Sequence, residues 1–102
     1  MKVYLDDLRP CPEGWVPVRT ALEAIALLAA GGVTHLSLDH DLGDDEGAGT
    51  GYDVAVWIEE AVALRGFIPP EISIHSANSV GRQRMAAAIA SIERLLAARR
   101  DT

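Results

Sequence analysis

The sequence predicts an open α/β fold, a four-stranded parallel sheet of order 2-1-3-4 with about three helices. Three observations predict it. Short apolar runs of about four to six residues alternate with longer stretches of helical periodicity, the pattern of βα units around a parallel sheet. Three of those runs end in polar clusters: Leu5-Asp6-Asp7, Leu38-Asp39-His40-Asp41 and Ile74-His75-Ser76. Right-handed crossovers then place strands one and three side by side, with their carboxyl ends at one edge.

Strand one covers residues 2–6. Pro10, Pro12 and Gly14 exclude a regular helix from the link that follows. Residues 15–18 read as a second strand, and Pro17, which lacks an amide proton, places it at an edge. Thr20-Ala21-Leu22-Glu23 has the form of a capping box, with Glu23 reaching back toward Thr20. The helix it opens carries Leu22, Ile25, Leu28 and Ala29 on its inward face and stops at Gly31-Gly32. Strand three spans residues 34–39. Residues 43–51 contain four glycines and read as a loop that is mobile without a ligand. A helix over residues 52–65 turns Val54, Trp57, Ile58, Ala61 and Val62 inward, and Gly66, Pro69 and Pro70 end it. Strand four covers residues 71–75. The last helix begins near Ser79 with Met85, Ile89, Ile92, Leu95 and Leu96 as its buried stripe, and Arg94, Arg99 and Arg100 suit its C-terminal dipole.

A chain of 102 residues reads as a single domain over 1–102. No apolar run reaches the ~18 residues that span a bilayer, and acid follows too closely on Met1 for a signal peptide. The lone Cys11 fits a reducing, cytoplasmic setting and reads as a plain loop residue. Net charge is −6, and Asp39, Asp41, Asp44, Asp45 and Glu46 supply five of the fifteen acids. The acidity is therefore local, and Asp44, Asp45 and Glu46 read as a solvated loop. No basic field grips extended nucleic acid, although a few arginines can hold a short end or a small phosphoester. The missing helix between strands one and two leaves one sheet face thinly covered, a candidate homodimer surface.

The polar tips carry the candidate chemistry. Asp6, Asp7 and Asp39, with Asp41 as a further ligand or a supporting group, suit a hard divalent cation such as Mg2+, with Mn2+ as the alternative. His40 and His75 flank the carboxylates and suit acid and base roles, or ligation of a softer metal. Ser76, Asn78 and Arg82 lie on the turn into the last helix, whose amides and guanidinium favour an anion; Asn78 or Ser79 also reads as its N-cap. Arg9 is a second candidate anion contact. His35 reads as structural, Trp15 and Trp57 read as core, and Tyr52 stays open.

The acid pair after strand one, the acid after strand three and Ser76 after strand four resemble the receiver domain of response regulators. That likeness implies a receiver-like (flavodoxin-like) three-layer fold, here truncated, with Asp6 and Asp7 as metal acids, Asp39 as phosphoacceptor and Ser76 as switch hydroxyl. The helix after strand one, a fifth strand and helix, and the receiver lysine are missing; Lys2 is the sole lysine and sits at the wrong end of strand one. A closer resemblance is to the cyclic-phosphate processing receiver-like family. It rests on Leu5-Asp6-Asp7-x-Arg9-Pro10 with Gly14-Trp15, on Ser37-Leu38-Asp39-His40-Asp41-Leu42-Gly43, on Thr50-Gly51-Tyr52-Asp53 and on His75-Ser76-x-Asn78-x-x-Gly81-Arg82. It implies a metal-dependent phosphoesterase acting on 2′,3′-cyclic phosphate ends in RNA repair, with His75, His40 and Asp39 at the reaction centre. The alternative it leaves is a degenerate receiver that binds a signalling partner, phosphorylated or not on Asp39.

Overall fold

Seven elements follow one another in the predicted order: β1 (Lys2–Leu5), β2 (Val16–Val18), α1 (Ala21–Ala30), β3 (His35–Leu38), α2 (Gly51–Arg65), β4 (Glu71–Ile74) and α3 (Ser79–Arg100). The structure is a computed structural model and describes residues 1–42 and 47–100. Residues 43–46, including the expected solvated acids Asp44, Asp45 and Glu46 and the first part of the expected mobile loop, lie outside the described residues. All strand pairs are parallel, in the order β2-β1-β3-β4. Pro17 sits on the edge strand, where its missing N–H costs no ladder bond.

Strand alternation sorts the sheet into two unlike faces. Val3, Leu5, Leu36 and Leu38 are fully buried in one cluster with Leu28 of α1, Val54 and Ile58 of α2, and Met85 and Ile92 of α3; Ile72 and Ile74 pack against it. Lys2, Tyr4, His35, Ser37, Glu71 and Ser73 occupy the opposite phase. Among the described residues, side chains from all three helices join the cluster on the apolar face. The β2-to-β3 and β3-to-β4 crossovers run the same way across the sheet, so right-handedness puts α1 and α2 on the same face. The β1-to-β2 link runs the other way and has no helix to cover the second face.

The inward face of α1 also differs from expectation. Ala21, Ala24 and Leu28 are buried, whereas Leu22 is 72% exposed and Ala29 is exposed. Small residues let this helix lie close to the sheet, so helical phase rather than side-chain size selects the buried stripe. The Thr20 hydroxyl accepts from the Glu23 amide at 3.2 Å and donates to the Glu23 carboxylate at 3.1 Å, so Glu23 reaches the hydroxyl. A complete capping box instead opens α2, where Thr50 and Asp53 exchange both bonds. In α2, Ala55 is buried and Trp57 half-buried, its ring edge-on to Phe67 at 5.4 Å. In α3, Met85, Ala88 and Ile92 are buried, and Ile89, Leu95 and Leu96 are half-buried. Gly66 ends α2 in the left-handed region at φ 67°. Among the described residues no helix is long and apolar enough to cross a membrane.

Gly51, the first residue of α2, packs directly under the tip of β3. A Cβ there would overlap the Asp39 carbonyl oxygen and press on Met85 Sδ. Gly51→Ala is therefore expected to destabilise the fold by about 1–3 kcal/mol, as overpacking does. Urea denaturation checks this, and a variant as stable as wild type would contradict the close approach.

Candidate active site

The parallel register builds the site. Leu5 pairs with Leu38 and Leu38 with Ile74, so Asp6, Asp39 and His75 form the next rung beyond the strands. The amides of Asp39 and His75 continue the ladder, donating to the carbonyls of Leu5 and Leu38. The three side chains share the phase of Tyr4, Ser37 and Ser73. One ligand atom from each of Asp6, Asp39 and His75 lies within 4.8 Å of the others.

Asp6 is the most constrained of the three, its side chain 1% exposed. Its Oδ1 accepts from the amides of Leu8 at 2.8 Å and Arg9 at 2.9 Å, which folds the chain back after β1. Its Oδ2 faces His75 Nε2 at 3.0 Å, with Arg9 Nε at 3.9 Å. Burial works against its charge, but the Arg9 and Leu8 amides and then His75 outweigh it, and the carboxyl sits below its ordinary value. Asp39 goes the other way. Burial raises it, the facing Asp6 charge raises it further, and the Ser76 hydroxyl and His75 do not cancel the rise.

His75 leans from the tip of β4 across β3. Its Nδ1 meets the Ser37 hydroxyl at 2.6 Å, and its ring stacks on Tyr4 at 4.3 Å and 5°. Arg9 donates to the His75 carbonyl. Ser37 and Tyr4 had no assigned role in the sequence reading. Their signal was phase: each lies two residues before an acid of the rung, on the same strand face.

An open cleft of about 420 Å³ lies beside the rung, lined by Asp6, Asp7, Leu8, Arg9, Asp39, Asp41 and Ala77. His75 is absent from that lining and adjoins it through Asp6 Oδ2. Asp7 lines the cleft without joining the converging trio. Asp41 is tied elsewhere: it accepts from His40 Nδ1 at 2.9 Å and from Asn78 Nδ2 at 3.3 Å, and the His40 bond first, then Asn78, holds it below its ordinary value.

The structure moves His40 and Arg82 away from the cleft lining. The His40 side chain is 15% exposed and packs against Gly81, where a Cβ would overlap its ring. Strand alternation explains this, since His40 follows Asp39 and points to the other side. The Arg82 amide caps onto the Asn78 carbonyl, and its side chain is not part of the cleft. Asn78 is the N-cap of α3, its Oδ1 accepting from the Gly81 amide at 2.9 Å. Ser76 is buried, accepts from the Asn78 amide at 3.1 Å and bonds the Asp39 carboxylate.

A family model of the cyclic-phosphate processing Receiver domain matches residues 1–91. The chain belongs to that family. No curated protein and no solved structure matched. In this cyclic-phosphate processing receiver domain, Trp15 is not core: it stands on the helix-free face, edge-on to Tyr4 at 6.3 Å with Lys2 Nζ 5.8 Å above its ring. Tyr52 carries the Arg84 guanidinium at 4.4 Å, and His35 pairs with Glu71 at 3.2 Å across β3 and β4. The residues of the rung fit a divalent ion. Two carboxylates face each other, and burial first, then the Asp6 charge, raises the Asp39 carboxyl, a cost that a cation would offset.

The two acids have opposite linkage signs. Asp39 titrates above its unfolded value near 3.8, so its ionisation costs stability as pH rises through the folded value. Asp6 contributes stability above the unfolded value and loses it as pH falls through its lowered one. Without added metal, Asp39→Asn is expected to melt above wild type near pH 7, with the gap closing toward about pH 4. Thermal melts followed by circular dichroism across that range check the sign. A variant that melts lower than wild type near neutrality would contradict it.

Proposed function

We propose that this receiver domain is a metal-dependent phosphoesterase that opens cyclic phosphates, with 2′,3′-cyclic phosphate RNA ends as its substrate class. The observation that carries the reading is the convergence of Asp6, Asp39 and His75 within 4.8 Å beside an open cleft. The family description points to the same substrate chemistry. The cleft volume falls within the range of small-ligand pockets. Asp6 and Asp39 would hold Mg2+ or Mn2+, with Asp7 and Asp41 in the lining of the same cleft. The bound ion would supply charge neutralisation at the phosphoryl oxygens and a more acidic water.

The chain's own groups do the rest. Arg9, its side chain 48% exposed, offers its guanidinium to a phosphate at the cleft wall. The oxygen of water bonds to phosphorus and gives up a proton, one ester P–O bond of the ring breaks, and the departing ribose oxygen takes up a proton. His75 Nε2, beside Asp6 Oδ2, is the candidate hydrogen-bond donor to that oxygen. The product is a phosphomonoester. His40 has no role in this reading, because its ring is turned to Gly81 and Asp41.

The purified protein with Mg2+ or Mn2+ is expected to hydrolyse RNA ending in 2′,3′-cyclic phosphate and small cyclic nucleotides. His75→Ala is expected to lower the rate by about 10²–10⁴-fold. Absence of turnover on every such substrate with every divalent metal tried would overturn the reading. Metal binding has its own readout. At a metal concentration of 100 times Kd, unfolding should be harder by about 2.7 kcal/mol in wild type and unchanged in Asp39→Asn.

A second reading rests on the Ser76 hydroxyl at the Asp39 carboxylate, the pairing expected of a receiver phosphoacceptor. A stable mass adduct from a small phosphodonor, lost in Asp39→Asn, would favour a signalling module instead.

A further inference from the structure

The proposed phosphoesterase needs a hydrogen-bond donor for the departing oxygen, and the hydrogen bonds around His75 decide whether it is one. His75 Nε2 lies 3.0 Å from Asp6 Oδ2, and Nδ1 lies 2.6 Å from the Ser37 hydroxyl. A carboxylate only accepts. Asp6 is bound as a carboxylate, since its other oxygen already takes two backbone amides. Nε2 must therefore carry a hydrogen. A neutral imidazole with its proton on Nε2 has a lone pair on Nδ1, and the hydrogen it accepts comes from Ser37.

Ser37 is buried in the middle of β3, and among the described residues His75 Nδ1 is the hydrogen-bond partner found for its hydroxyl. It does not line the cleft, so it is not placed to attack a substrate. Its position on the rung below Asp39, opposite Tyr4 and Ser73, points its side chain at the ring of His75. Tyr4 fixes the plane of that ring by stacking at 4.3 Å, and Arg9 holds the backbone carbonyl of His75. The imidazole is thus held on three sides, with its Nε2–H toward the carboxylates.

We infer that Ser37 is a positioning residue that holds His75 in its Nε2–H form, making His75 a hydrogen donor at the phosphate and not a metal ligand. A metal ion on Nε2 would need the lone pair that this form places on Nδ1. The ion then rests on oxygen ligands, which suits Mg2+. The same N–H steadies Asp6, as a histidine–carboxylate pair steadies a ligand. The neutral ring keeps this hydrogen and offers it as a hydrogen bond, while the proton that the departing ribose oxygen takes up is the one the attacking water gives up. This assignment rests on the phosphoesterase reading for its purpose, but not for its geometry.

The test is ring nitrogen NMR on uniformly 15N-labelled protein, at alkaline pH where the imidazole is neutral. Wild type is expected to show a protonated, pyrrole-type Nε2 and an unprotonated, pyridine-type Nδ1 for His75, and to keep that pattern when Mg2+ is added. Ser37→Ala is expected to mix the two forms, and Ser37→Thr, which restores the hydroxyl, to recover the wild-type pattern. A pyridine-type Nε2 in wild type, or a Mg2+-induced change to one, would overturn the inference. So would a Ser37→Ala spectrum identical to wild type. The wild-type spectrum alone is decisive if a variant does not fold. An Nε2–H His75 in a protein inactive on all cyclic phosphodiesters would support this assignment and overturn the phosphoesterase reading, so the two fail separately.

Discussion

The structure depends on strand register. Asp6, Asp39 and His75 meet because β1, β3 and β4 end on the same rung, with Leu5, Leu38 and Ile74 as the rung before it. Side chains alternate along a strand, so a slip of one residue in any of the three would send one of these groups to the helical face. The register is held by the apolar face, where Val3, Leu5, Leu36 and Leu38 are all fully buried. Core packing and site geometry are therefore the same constraint seen from the two faces of the sheet.

That geometry places like charges close together, and the chain manages the cost locally. The amides of Leu8 and Arg9 hold Asp6 ionised, and the residual repulsion falls on Asp39. A divalent ion between them reverses the sign of that interaction. In the free protein burial and the Asp6 charge both disfavour an ionised Asp39, a cost that the proposed cation would offset. Glycine makes the close packing around it feasible: Gly51 under the Asp39 carbonyl and Gly81 against His40 leave no room for a Cβ.

The helix-free sheet face gives the His75 ring room to lie over Tyr4 and Ser37. In a fully wrapped α/β domain the rings of Tyr4 and Trp15 and the hydroxyl of Ser37 would lie under a helix. Here the link between β1 and β2 is a short loop, and the space beside β3 is open to a histidine from β4. The chain keeps the carboxyl-edge acids of the receiver fold and fills the uncovered face with groups that serve the imidazole.

Much of this was legible in the amino-acid order. Alternating apolar and helical stretches, Pro17 and the right-handed crossover rule determined the strand order, and the polar tips of three runs placed Asp6, Asp39 and His75 at one edge of the sheet. What the linear chain could not decide was direction within each cluster. His40 and His75 look alike as residues beside acids, yet one turns to Gly81 and the other to Asp6. Asn78 and Arg82 read as anion contacts, but the first is committed to capping α3 and the second lies outside the cleft lining. The buried stripe of α1 and the contacts of Ser37 and Tyr4 with His75 likewise appear only in three dimensions. Composition and periodicity encode which residues seek the core, a local property. Which polar atoms face one another depends on register between strands distant in sequence, and that exists only once the sheet has formed.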